Sequence, residues 1–258
     1  MSPVPIVLVH RDESLLARAV AARLVTRLVD VQASTETASL VLTGGRIGTA
    51  VLHELRTSPA RDAVEWPELD VWWGDERFLP AGHPERNETQ ARSALLDHVP
   101  VDSRRVHAMP SSESGLEPEA AAARYADVLA ASTQPEDHGP VPQFDVLLLS
   151  IGEDGHIASL FPEHPAIYDS RPVVAVRGAP KPPSTRLSLT FSAICAAREV
   201  WLLAAGFEKA AAVRLALSGA GALSVPAAGA NGRQRTLWLL DREAASDLPP
   251  ELARLASP

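Results

Sequence analysis

The sequence predicts an α/β fold: a doubly wound, mostly parallel sheet with helices on both faces. Three observations carry this. Short apolar runs rich in β-branched residues alternate with amphipathic stripes at helical spacing. One run, residues 144–151, is apolar enough to be buried on both faces, as a central parallel strand is. Glycine or proline marks many of the changes from one period to the other.

Residues 4–9 form the first strand signal, with Asp12 as a cap and Leu15, Leu16, Ala19, Val20, Arg23, Leu24, Arg27 and Leu28 as a helical stripe. The unit repeats at residues 40–43, broken by Gly44-Gly45 and followed by Ile47, Ala50, Val51, Leu52 and Leu55. A third strand covers residues 69–73. Helices follow at 87–98 and 117–131, then the apolar strand 144–151. Residues 173–177, 186–190 and 200–204 are further strand candidates, 207–217 a helix, and 236–240 a last strand before a short helical end. Prolines cluster at 135–142 and 180–183, both read as loops because proline breaks helices and central strands. The first cluster is too short for a domain linker, so residues 1–258 are expected to form one domain.

Composition narrows the function classes. With 24 basic and 32 acidic side chains the net charge is −8, so phosphate specificity must come from a local site and no nucleic-acid partner is expected. No apolar run approaches the roughly 20 residues that cross a bilayer, so no membrane partner is expected. The single cysteine, Cys195, and the lack of a secretory pattern in residues 1–30 point to the cytoplasm. The eight histidines lack zinc-site spacing and there is no Gly-x-Ser-x-Gly elbow, so neither a metal nor a serine acyl-enzyme is expected. All basic residues are arginine except Lys181 and Lys209.

In open α/β sheets ligands bind beyond the carboxyl ends of strands, which directs attention to the loops there. Thr43-Gly44-Gly45-Arg46-Ile47-Gly48 joins a strand to a helix whose free N–H groups suit an anion, or else is a turn that needs glycine only for its geometry. It has neither the Walker lysine nor a dinucleotide fingerprint. Asp75-Glu76-Arg77 is a solvated charge run or, between Gly74 and Pro80, a shaped loop in which Arg77 carries the planar donors that suit phosphate. Asn87 downstream serves as a helix cap or a ligand contact. Gly152-Glu153-Asp154-Gly155-His156 follows the most apolar strand. If a short helix starts there, its dipole favours the neutral imidazole that a general base needs. Asp154 orients His156 only if the turn folds back, and is otherwise a turn or cap residue. Lys181 and Arg186 flank a proline-stiffened loop, and Lys209 follows Gly206.

Together these segments resemble the 6-phosphogluconolactonase family, within the superfamily of glucosamine- and galactosamine-6-phosphate isomerases. The resemblance rests on Thr43-Gly44-Gly45; on Asp75-Glu76-Arg77 with Pro80 and Asn87; and on residues 152–162, which run Gly-Glu-Asp-Gly-His-Ile-Ala-Ser-Leu-Phe-Pro. Lys181-Pro182-Pro183 with Arg186, and Gly206 with Lys209, complete it over nearly the whole chain. It implies a Rossmann-like fold, no cofactor, and hydrolysis of 6-phospho-D-glucono-1,5-lactone to 6-phosphogluconate in the oxidative pentose phosphate pathway.

Within that resemblance His156, oriented by Asp154, is expected to act as general base and acid on water, with Arg77 as a third catalytic residue at the phosphate or the developing oxyanion. Thr43, Gly44, Gly45, Arg46, Asp75, Asn87, Lys181, Arg186 and Lys209 are expected around the sugar phosphate. The sequence departs from the family pattern at Arg46-Ile47-Gly48, where Ser-Thr-Pro is frequent, at Arg86 for serine and at Ile157 for threonine. The expected partner is a small sugar phosphate, and the expected state a monomer or weak dimer. An isomerase or deaminase of the same superfamily and a non-catalytic sugar-phosphate-binding domain are the alternatives.

Overall fold

A computed structural model describes residues 4–135, 137 and 139–252. In chain order the main elements are β1 (Ile6–His10), α1 (Glu13–Thr35), β2 (Ala38–Leu42), α2 (Gly45–Thr57), β3 (Leu69–Trp73), β4 (Asp75–Arg77), α3 (Asn87–Ala94) and α4 (Pro118–Ala131). They continue with β5 (Val146–Ser150), β6 (Val173–Val176), β7 (Arg186–Leu189), α5 (Phe191–Ile194), β8 (Glu199–Ala204), α6 (Ala210–Leu217) and β9 (Arg235–Asp241). Helix α1 starts where the sequence places it: the Asp12 carboxylate accepts the Leu15 N–H at 2.8 Å, satisfying a donor that the first turn cannot. Its buried stripe of Leu16, Val20, Leu24, Leu28 and Val31 keeps the spacing of one helix face.

Six strands form an all-parallel sheet in the order β1-β9-β8-β5-β2-β3. From β1 through β2 to β3 the chain moves one way across this sheet, and from β3 through β5 and β8 to β9 it returns. Right-handed crossovers therefore put α1 and α2 on one face and α4 and α6 on the other, while α3 packs against α2. The direction reverses between neighbouring strands β2 and β5, so the loops leaving their carboxyl ends diverge and open a crevice. Strand β5 is buried from Val146 to Leu149, and β8 is buried throughout, as strands covered on both faces must be.

Several expectations are corrected. The runs at 173–177 and 186–190 are strands β6 and β7, but they belong to a separate antiparallel sheet ordered β4-β7-β6. The link between them is too short for the dozen or more residues of a parallel crossover, so they pair as a hairpin. Asp75-Glu76-Arg77, expected as a loop, is the strand β4 that this hairpin recruits. The helix expected over 87–98 ends at Ala94. Leu95 adopts φ −144°, and a 3-10 turn takes up Leu96–His98. After β9 the chain makes turns instead of a helix, and residues 253–258 of the expected helical end lie outside the described residues, as do Glu136 and His138 of the first proline cluster. Among the described residues no helix is long and apolar enough to cross a membrane.

Leu202 sits in β8 with no exposed surface. Leu202→Ala is expected to lower unfolding stability by about 2–5 kcal/mol in urea titrations, the range for a truncated leucine in a close-packed core.

Candidate active site

A cleft of about 390 Å³ opens at the carboxyl ends of the parallel strands, at the β2/β5 reversal. His156, Arg77, Arg46, Lys181, Arg186 and Lys209 all line it, together with Gly45 and Gly152. Five chain segments thus deliver one imidazole and five cations to a single concavity. A second cleft, of about 400 Å³, lies at the opposite end of the same strands, beside Ser39, Asp70 and Asp145.

The histidine is placed by a turn and not by a helix, so the expected dipole effect has no helix to act through. Gly155 N–H closes the turn onto Gly152 O at 3.0 Å with Gly155 at φ +81°, and Gly152 N–H donates to His156 O at 2.8 Å. This folds the turn back, so Asp154 does meet the imidazole: its Oδ1 lies 2.5 Å from His156 Nδ1 and also accepts the His156 backbone N–H at 3.2 Å. Burial pushes the Asp154 carboxyl up, but its bonds to His156 outweigh this and hold it at about 2. The carboxylate is charged at any working pH and fixes Nδ1 as the donor, leaving Nε2 for chemistry. Gly152 is needed here because a Cβ on it would meet His156 Nδ1 at 1.9 Å. The ring rests on Phe161, with centroids 4.5 Å apart.

Arg186 is nearly buried and donates to the carbonyls of Lys181, Pro182 and Pro183, so it shapes the proline loop as well as facing the cleft. Its guanidinium lies 5.6 Å over the Phe161 ring. Arg77 donates to Glu85 O at 2.6 Å, and its buried Nε has no partner. Arg46 is held by Glu13 at 3.0 Å and Glu208 at 3.5 Å. Burial lowers the Lys209 ammonium pKa against the opposing pull of Glu153.

Four of the expected ligand contacts, Thr43, Gly44, Asp75 and Asn87, do not line the cleft and sit behind its wall instead. Thr43 accepts the Ser150 N–H at 3.0 Å, and Ser150 donates to Gly44 O at 2.9 Å, tying the β2 and β5 loops together. Asp75 is buried and accepts from Ser159 Oγ at 2.7 Å and Asn87 Nδ2 at 3.1 Å. Asn87 packs on Gly44 so closely that a Cβ there would lie 2.0 Å from Asn87 Oδ1. Asn87 is the first residue of α3, not its cap.

Glu76 does that work: its carboxyl accepts the N–H groups of Arg77, Asn87 and Glu88 at 2.7–2.9 Å. Burial pushes its pKa up to about 7 despite Arg86 and those donors. Arg86, the departure from serine, is as buried as Glu76, bonds Met109 O at 2.8 Å, and does not reach the cleft. The sequence reading did not single out Ser150 or Glu208, though both line the cleft. Ser150 had a signal, as the one polar residue ending an apolar strand. Glu208 had none beyond its place beside Lys209. Among the described residues no group of three or more histidine, cysteine or acidic side chains is arranged to hold a metal ion.

Comparison with known proteins places the chain in a family. Residues 11–238 match the family model described as glucosamine-6-phosphate isomerases/6-phosphogluconolactonase. The chain is 61% identical over 260 residues to a 6-phosphogluconolactonase of Streptomyces coelicolor, covering all of both chains. It is 50% identical over 241 residues to one of Mycobacterium tuberculosis, covering 92% of this chain and 96% of that one. Among solved structures, the 6-phosphogluconolactonase from Trypanosoma cruzi superposes with a TM-score of 0.83 at 25% identity, over 96% of this chain and 98% of that one. A monomeric glucosamine-6-phosphate deaminase shares the fold, with a TM-score of 0.77 at 20% identity over 94% of this chain and all of that one.

Glu76→Gln is expected to destabilise the protein by about 1–3 kcal/mol, because an amide N–H₂ then faces backbone donors. The folded carboxyl titrates near 7 against a usual value of 4.5, so the stability it contributes is complete below 4.5 and lost as pH rises through about 7. Thermal unfolding followed from about pH 5 to 8 should show that decline in the wild type and not in the glutamine variant.

Proposed function

The chain belongs to the glucosamine-6-phosphate isomerase/6-phosphogluconolactonase family, and from that premise we propose how its cleft works. The reaction is hydrolysis of 6-phospho-D-glucono-1,5-lactone to 6-phosphogluconate, the activity named for its full-length relatives. The observation that carries the mechanism is the Asp154–His156 contact on a turn that faces five cations.

The lactone is an activated ester, so water suffices as nucleophile. His156 Nε2 takes a proton from water as the oxygen bonds to the carbonyl carbon, and the resulting imidazolium is stabilised through Nδ1–H by the ionised Asp154. The tetrahedral intermediate then expels the ring oxygen, which receives that proton from Nε2. The carboxylic acid formed ionises in solution. Arg77, Arg186, Lys181, Lys209 and Arg46 supply positive charge for the substrate phosphate and the developing oxyanion, with the N–H groups at Gly45 as further donors. Thr43, Asp75 and Asn87 act from behind, holding the two glycine-bearing loops in register. The lone, half-buried Cys195 supports a cytoplasmic setting.

His156→Asn is expected to lower kcat by about 10² to 10⁴ with little change in melting temperature, as loss of a general base does. The measurement is a pH-stat assay on freshly generated lactone, corrected for spontaneous hydrolysis. Near-normal turnover in the variant would remove His156 from the mechanism. Turnover of glucosamine 6-phosphate by the wild type, without lactone opening, would transfer the protein to the deaminase branch.

A further inference from the structure

We propose that Glu153 is a resident counter-anion of the phosphate seat, competing with phosphorylated ligands for Lys181 and Lys209 and thereby weakening their hold on product. This rests on the sugar-phosphate reading of the cleft. Glu153 Oε1 lies 3.8 Å from Lys181 Nζ and 3.9 Å from Lys209 Nζ. Those are the only two lysines in the chain, and they come from separate segments, one in the proline loop before β7 and the other just before α6. One carboxylate oxygen thus sits between two ammonium groups, the place a phosphate oxygen would take.

The geometry makes this carboxylate displaceable. Both separations are longer than a hydrogen bond, so the attraction is Coulombic and neither lysine is locked to it. The Glu153 side chain is 57% exposed, so it can swing into water at little cost, whereas the Lys209 side chain is 18% exposed and stays in place. A phosphate dianion carries more charge than the carboxylate and wins the competition, but it then binds beside a displaced negative charge. In a solvent-screened setting that opposition is worth about a fivefold loss of affinity. With Arg46, Arg77 and Arg186 also lining the cleft, a charged product faces five cations, and an opposing carboxylate at the rim favours its release.

The test is Glu153→Gln, with Glu153→Ala as a second variant. Calorimetric titration with inorganic phosphate, which needs no turnover, reads the seat directly, and competitive inhibition by 6-phosphogluconate reads it during lactone hydrolysis. Both dissociation constants are expected to fall about fivefold at low ionic strength, with KM falling in parallel and the gap to wild type closing as salt is added. Affinities equal to or weaker than wild type in both variants would overturn the proposal. Absence of lactone hydrolysis by the wild type would instead overturn the reading of the site, and phosphate calorimetry would still decide the role of Glu153.

Discussion

Two adjacent buried carboxylates, Asp75 and Glu76, hold the molecule's working end together. They stand just past the carboxyl end of β3, where the chain leaves the large sheet and enters the small one. Glu76 turns toward α3 and gathers its first N–H groups. Asp75 grips Ser159 from the loop that carries the histidine, and Asn87, which abuts the glycine loop. Burying such groups is tolerable only because each of their four carboxyl oxygens finds a donor. The cations that line the cleft then need only be attached to these fixed loops to converge.

Electrostatics follow the same logic of local order against a contrary background. The chain is acidic overall, yet five cations face one concavity. Most of them are already engaged: Arg186 by three carbonyls, Arg46 by Glu13 and Glu208, Arg77 by Glu85 O. Bonding to fixed neighbours orients a guanidinium before substrate arrives, which lowers the entropy that binding must overcome.

The alternation of β-branched runs and amphipathic stripes was legible because it depends on burial, which local composition reports. The helix at α1 and the double-faced burial of β5 followed directly. The antiparallel sheet was not legible, since the runs that form β6 and β7 look like any other strand, and only the short link between them and the recruitment of Asp75 through Arg77 decide their partners. In the cleft, charged and histidine side chains announced themselves by residue type. The division between groups that face ligand and groups that brace the wall did not. Asp75 and Asn87 are chemically suited to either task, and only a Cβ-to-amide distance at Gly44 or a hydroxyl from Ser159 assigns them.

The joint between Thr43 and Ser150 closes a span of 107 residues, and the β2/β5 pairing it completes is the seam along which β2 and β3 meet the other four strands of the sheet. Residues from both sides of that seam line the cleft. A nascent chain halted before β5 has the glycine loop but not His156, and a fragment beginning at β5 has the reverse. Catalytic competence therefore arrives only when β2 and β5, distant in the chain, have been made and zipped along that seam, so that turnover doubles as a gauge of completed assembly.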